Sequence, residues 1–137
     1  MEHLSFIVPS RPVSQQTGRR GRKTLLPAWK AAVEAAARVA LPSGFAPFSV
    51  PVEVRLTCFL DFDIDVDNVA KPMLDALKGG IVLADDSLVA FLTVRKVNLN
   101  HLPNVTDPPP DVAAALASGR PFVHVEVTAI DSPNDVR

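Results

Sequence analysis

Between Val50 and Leu60 the apolar residues Val52, Val54, Leu56, Cys58 and Leu60 alternate with Glu53, Arg55, Thr57 and Phe59. A period of two is the pattern of a half-buried β-strand, because successive side chains point to opposite faces. Such a strand cannot stand alone. It needs partner strands for its backbone groups and a covering layer for its apolar face. The spacing then continues with a different chemistry: Asp61, Asp63, Asp65 and Asp67 also fall two apart. If the chain stays extended there, several carboxylates line one side.

The remaining segments supply the partners. Leu4, Phe6 and Val8 alternate with Ser5 and Ile7 before Pro9, which reads as a short strand closed by PSRPVSQQ. TGRRGRKT has no periodic apolar face and reads as a basic loop. From Pro27, with Trp29, Ala32, Val33 and Ala36 at helical spacing, a helix runs until just before Pro42. After the acids, Asn68 or Asp67 is expected to cap a short helix through AKPMLDALK. Pro72 is tolerable there only near the helix start, and Gly79 and Gly80 stop it. IVL leads to the turn ADDS, which is placed to return Asp85 and Asp86 to the first carboxylates. LVAFLTVRKV follows as a strand pairing with the one that ends at Leu60. A proline-rich loop, a short helix at Val112 to Ala117 and the strand FVHVEVTAI complete the chain. The expected fold is α+β, a mixed sheet of about four strands with packed helices. With 137 residues and no internal repeat, one domain spanning 1–137 is expected.

Composition excludes several classes. At 47% hydrophobic and 21% charged residues the chain is neither disordered nor collagen-like. Thirteen prolines, gathered in PSRP and PNVTDPPPD, mark two loops. Cys58 is the single cysteine, so neither an internal disulfide nor a multi-thiolate zinc site can form, and its strand position reads as core. His3, His101 and His124 share no ligand-like spacing, and His124 alternates into the polar face of the last strand; all three read as ordinary surface residues. No run of about eighteen apolar residues or basic leader is present, so a cytoplasmic, non-membrane protein is expected. A net charge of −1 argues against coating DNA by bulk positive charge. Its distribution is uneven, though. Through Ala40 seven bases face two acids, and the remainder holds seven bases and thirteen acids. A basic half beside an acidic half suits an enzyme that grips a polyanion and holds cations; a basic loop that merely solvates itself explains the charge equally well.

Hydrolysing a phosphodiester requires charge stabilisation on the attacking and leaving oxygens, which a carboxylate-held magnesium ion provides. Asp65 and Asp67 offer a pair of oxygen donors, and Asp86 a third from another direction. A calcium loop is excluded. Counting from Asp61, Val66 and Pro72 stand where Gly and Glu are needed; counting from Asp63, Asn68 and Leu74 do. Helix capping and edge solvation remain the alternative for these acids, Asp61 and Asp63 above all.

The string DVDNVAKPMLDALKGGIVLADDS decides between them, because it resembles the signature of the RusA family of Holliday junction resolvases. Asp65, Asp67, Asn68, Lys71, the DAL of Asp75 to Leu77, a glycine, and the double acid Asp85 and Asp86 all match at fixed spacing. More weakly, the opening strand and PSRPVSQQ match as well. The resemblance implies magnesium, or manganese, bound by Asp65, Asp67 and Asp86, with Lys71 close to the scissile phosphate. It also implies branched DNA as substrate and a symmetric homodimer that makes two incisions. On charge, Arg19, Arg20, Arg22, Lys23 and Lys30 are the expected phosphate contacts, with Arg38 nearby. Asp75 either orients Lys71 or faces solvent, and Asn68 is expected to cap rather than bind metal. The proline-rich insertion at Asp107 to Pro110 and the acidic overall charge depart from familiar members and bear on junction preference. Two rival readings are a catalytically silent branched-DNA-binding protein and a small metal-binding structural protein that ignores DNA.

Overall fold

The computed structural model describes residues 2–14, 25–101, 104–131 and 134. Strand β1 is His3–Val8, helix α1 Leu25–Ala40, strand β2 Val52–Leu60 and helix α2 Val66–Leu77. A 3-10 turn at Asp86–Leu88 precedes strand β3, Val89–Asn98, followed by helix α3, Pro110–Ser118, and strand β4, Phe122–Ala129. The four strands form one sheet in the order β1-β4-β2-β3. β4 is antiparallel to β1 and β2, whereas β3 is parallel to β2. The mixed four-stranded α+β architecture read from the sequence is thus the one found.

Alternation divides the sheet into two faces. Leu4, Phe6 and Val8 of β1, Val52 to Leu60 at even positions of β2, and Val123, Val125 and Val127 of β4 join one buried cluster. Over them lie Trp29, Val33 and Ala37 of α1 and Val69, Met73, Ala76 and Leu77 of α2. Each of the larger aliphatic side chains among them is worth roughly 1.5–3 kcal/mol of apolar burial, which explains why both helices settle there. On the opposite face α3 covers one end only, where Val112 packs on Phe59 and Phe122. Those two rings are stacked with centroids 4.4 Å apart. Gly119, in the left-handed conformation, terminates α3.

Three expectations need correction. Helix α2 begins at Val66 with Asp65 as its N-cap, not at Asn68 or Asp67. The Asn68 amide instead donates to the Asp65 carbonyl at 3.1 Å, which places Asn68 inside the first turn. Consequently Pro72 lies in the second turn rather than at the start. It is fully buried there, so core packing offsets the helical hydrogen bond that its missing N–H forfeits. His124 is not a surface residue, being only 8% exposed. It does alternate onto the polar face, but β4 is an internal strand, so Ile7 and Thr57 flank it on either side. Its Nε2 shares a 2.8 Å hydrogen bond with the Ser5 hydroxyl. Cys58 is buried as expected, and desolvation pushes its thiol up to about 11.

Candidate active site

The acid run leaves the sheet at Leu60. It bends at Asp61 and Phe62 instead of staying extended, so the four aspartates do not share a strand face. Each of the first two acquires its own cation. Arg11 donates to Asp61 at 3.1 Å while its guanidinium lies 5.3 Å above the Phe62 ring. Lys96 donates to Asp63 at 2.6 Å and to the Ile64 carbonyl at 3.1 Å. That bond holds the Asp63 carboxyl below its usual range and, with a smaller contribution from the charge on Asp65, raises Lys96. Asp61 and Asp63 therefore brace the entry to α2.

Asp65 and Asp67 are different. Asp65 is the N-cap in extended conformation, and its side chain makes no capping hydrogen bond. Asp67 stands in the first turn, and both residues are exposed. Among the described residues neither carboxylate has a hydrogen bond or ion pair shorter than 4.0 Å. Two unpaired carboxylates at the positive end of a helix are electrostatically tolerable, and the free amides there also attract anions.

Along α2, Asp67, Lys71, Asp75 and Lys78 fall on one stripe at helical spacing. Lys71 and Lys78 each lie 3.5 Å from Asp75. Asp75 thus contacts Lys71 while remaining partly exposed to solvent. Lys78 extends the row to Asp86, 3.6 Å away, and the charge of Asp86, then that of Asp75, raises its pKa. Asp85 caps the 3-10 turn, where the Ser87 hydroxyl donates to it at 2.7 Å and lowers its carboxyl.

The parallel pairing decides where these groups sit. Because Val52 aligns with Val89 and Leu60 with Asn98, α2 runs back along the sheet between two strands of the same direction. Asp65 and Asp67 therefore stand at the Leu60 end of β2, and Asp86 at the Val52 end. Between them runs a twelve-residue helix, about 18 Å long. The turn does not return its acids to the first pair within one chain. Among the described residues no three His, Cys, Asp or Glu side chains converge to hold a metal ion. The donor chemistry nonetheless fits magnesium, which takes oxygen ligands and commonly uses only one or two carboxylates together with waters and substrate phosphates.

Lys30 is exposed on α1. Arg19, Arg20, Arg22 and Lys23 lie outside the described residues. Sequence reasoning missed Arg11, Lys78 and Lys96 as partners of the acids. Lys78 had a signal, standing three residues after Asp75. Lys96 had none, since only the parallel register, which aligns it with Cys58, brings it to Asp63. No described helix is long and apolar enough to cross a membrane.

A small α+β domain that presents, among its described residues, two exposed carboxylates without ion-pair partners at one helix N-terminus and lysines along the same helix carries the kinds of charge that cations and phosphates require. More particularly, residues 9–106, well over half of the chain, match the family model of endodeoxyribonuclease RusA, and the chain belongs to that family. It is accordingly a structure-specific endodeoxyribonuclease of the Holliday junction resolvase type. No curated protein matches the chain.

Proposed function

We propose that this protein resolves Holliday junctions or related branched DNA by magnesium-dependent, paired phosphodiester hydrolysis, serving DNA recombination and repair in the cytoplasm. The observation that carries the reading is the pair Asp65 and Asp67, exposed and without an ion-pair partner among the described residues, at the N-terminus of α2 inside the matched segment. Asp65 and Asp67, with Asp86, are the residues to hold the metal; manganese meets the same donor requirement. When bound, the ion supplies a lowered water pKa and charge neutralisation at the scissile phosphate. Lys71, one turn from Asp67, supplies an ammonium for that phosphate, which it reaches by leaving its 3.5 Å contact with Asp75. The amides of the first helical turn receive phosphate oxygens, and Lys30 and the basic stretch Arg19 to Lys23 grip the arms without reading bases.

Two strands must be cut, so the active form is a two-fold dimer. The dimer also accounts for the separation of the acids. If Asp86 of one protomer meets the Asp65–Asp67 end of the other, the metal-binding set closes only on assembly.

A synthetic four-way junction incubated with magnesium should be nicked symmetrically, and Asp67→Asn should abolish cutting while binding survives. Cutting that persists in Asp67→Asn removes that residue from the site. Equal binding with and without magnesium, and no cutting under any condition, would establish the silent junction-binding alternative.

A further inference from the structure

Immediately before Asp65 a cleft of about 750 Å³ opens, lined by Arg11, Val13, Leu25, Trp29, Phe62 and Ile64 among others. Its size falls within the roughly 300–1,000 Å³ typical of small-molecule pockets. None of the hydrolytic roles above uses it. Three features describe what it accepts. Phe62 is a half-buried aromatic ring carrying the Arg11 guanidinium on its face, and Asp61 anchors that guanidinium from behind. An anchored guanidinium beside a ring makes a flat, π-rich surface, and Asp63 lies at its edge. Trp29 is 2% exposed, and its Nε1–H has no hydrogen-bond partner among the described residues. An orphaned buried donor costs about 1–3 kcal/mol, which an incoming acceptor would recover. Val13, Leu25 and Ile64 supply aliphatic walls.

We propose that this cleft receives one unstacked nucleobase of the branched DNA, next to the phosphate that is cut. A base is planar, stacks on aromatic and guanidinium faces, and presents acceptors at its edge. A branch point offers such a base at low cost, since stacking is already interrupted there. The position fits as well: Ile64 of the cleft wall is adjacent in sequence to Asp65, so a base in the cleft leaves its phosphate at the N-terminus of α2. The inference rests on the nuclease reading above and adds a positioning and selectivity element to it.

Trp29 is the only tryptophan and the chain has no tyrosine, so its fluorescence reports on the cleft directly. Without metal, wild-type protein is titrated with a four-way junction and with a set of junctions each lacking one base near the crossover. The intact junction should quench Trp29. One abasic position beside the cut should bind by roughly five-fold or more weaker, as a lost base–aromatic stack does, and should fail to quench. Phe62→Leu, which keeps the apolar volume, should weaken the intact junction by the same factor and leave the abasic one unchanged, and Phe62→Tyr should restore the wild-type pattern. Thermal melts verify that both variants fold. Cutting by the wild type with magnesium is measured in parallel. A protein that cuts but binds every abasic junction alike, or whose Phe62→Leu variant keeps the abasic penalty, overturns the cleft and spares the nuclease reading. A protein that neither binds nor cuts the junction overturns both.

Discussion

Asp86 is 3.6 Å from Lys78, so a metal ion arriving at Asp86 competes with an ammonium already there. Lys78→Ala should consequently shift half-maximal cutting to lower magnesium concentration; an unchanged magnesium curve would mean that the pair does not compete with the metal. Cys58 makes a different prediction. The folded chain keeps its thiol proton up to about 11 against an ordinary 9.0. Between those values the folded state binds more protons than the unfolded one, so stability is full below pH 9 and falls as pH rises towards 11. The loss reaches roughly 3 kcal/mol at most, and Cys58→Ala should remove that part of the pH dependence in denaturant titrations. At neutral pH the native thiol should resist alkylation that the unfolded chain undergoes readily. At this scale the sequence offered the aspartates and Lys71 as candidates but gave no sign of the cations that Asp61 and Asp63 pair with. Arg11 reaches Asp61 across fifty residues and Lys96 reaches Asp63 across thirty-three, separations that no local pattern encodes.

Helix α2 is the element on which the site depends, and the two glycines after it behave differently. Gly80 has φ +83, a conformation that costs a side chain about 1–2 kcal/mol, so Gly80→Ala should lower the melting temperature by several degrees. Gly79 has ordinary φ, and a methyl group there would meet the end of the Glu34 side chain at 3.3 Å and the Ala76 carbonyl at an ordinary 3.7 Å, so Gly79→Ala should be far milder. Equal effects would show that the turn is less tightly fixed than its dihedral angles imply. Strand and helix identities were legible because their burial is periodic: every strand and helix expected from alternation or helical spacing is present. The start of α2 was less legible. Three residues able to cap stand together at Asp65, Asp67 and Asn68, and the choice fell to the packing of Val69, Met73 and Leu77 against the sheet. The burial of His124 was hidden for a related reason, since alternation specifies a face but not whether the strand is internal.

For the whole molecule the decisive feature is the parallel β2–β3 pair, which separates Asp65 and Asp67 from Asp86 by the length of α2. A site shared across a dimer has a specific consequence. Asp67→Asn and Asp86→Asn, each inactive alone, should regain nicking when mixed and allowed to exchange subunits, because one of the two shared sites in the mixed dimer keeps all its acids. No recovery, with exchange verified by sedimentation of tagged subunits, would place the full set within one protomer. Binding to the junction should weaken steeply with salt, and neutralising Arg19, Arg20, Arg22 and Lys23 together should flatten that slope. By itself the sequence determined the elements, the α+β class with its four strands, the acidic segment and its family, because periodicity and motif spacing are local properties of the chain. Tertiary structure alone decided the direction of β3, the cations that claim Asp61 and Asp63, the stretch of helix between the acids and the cleft beside Asp65, because each arises from residues distant in sequence meeting across a folded sheet.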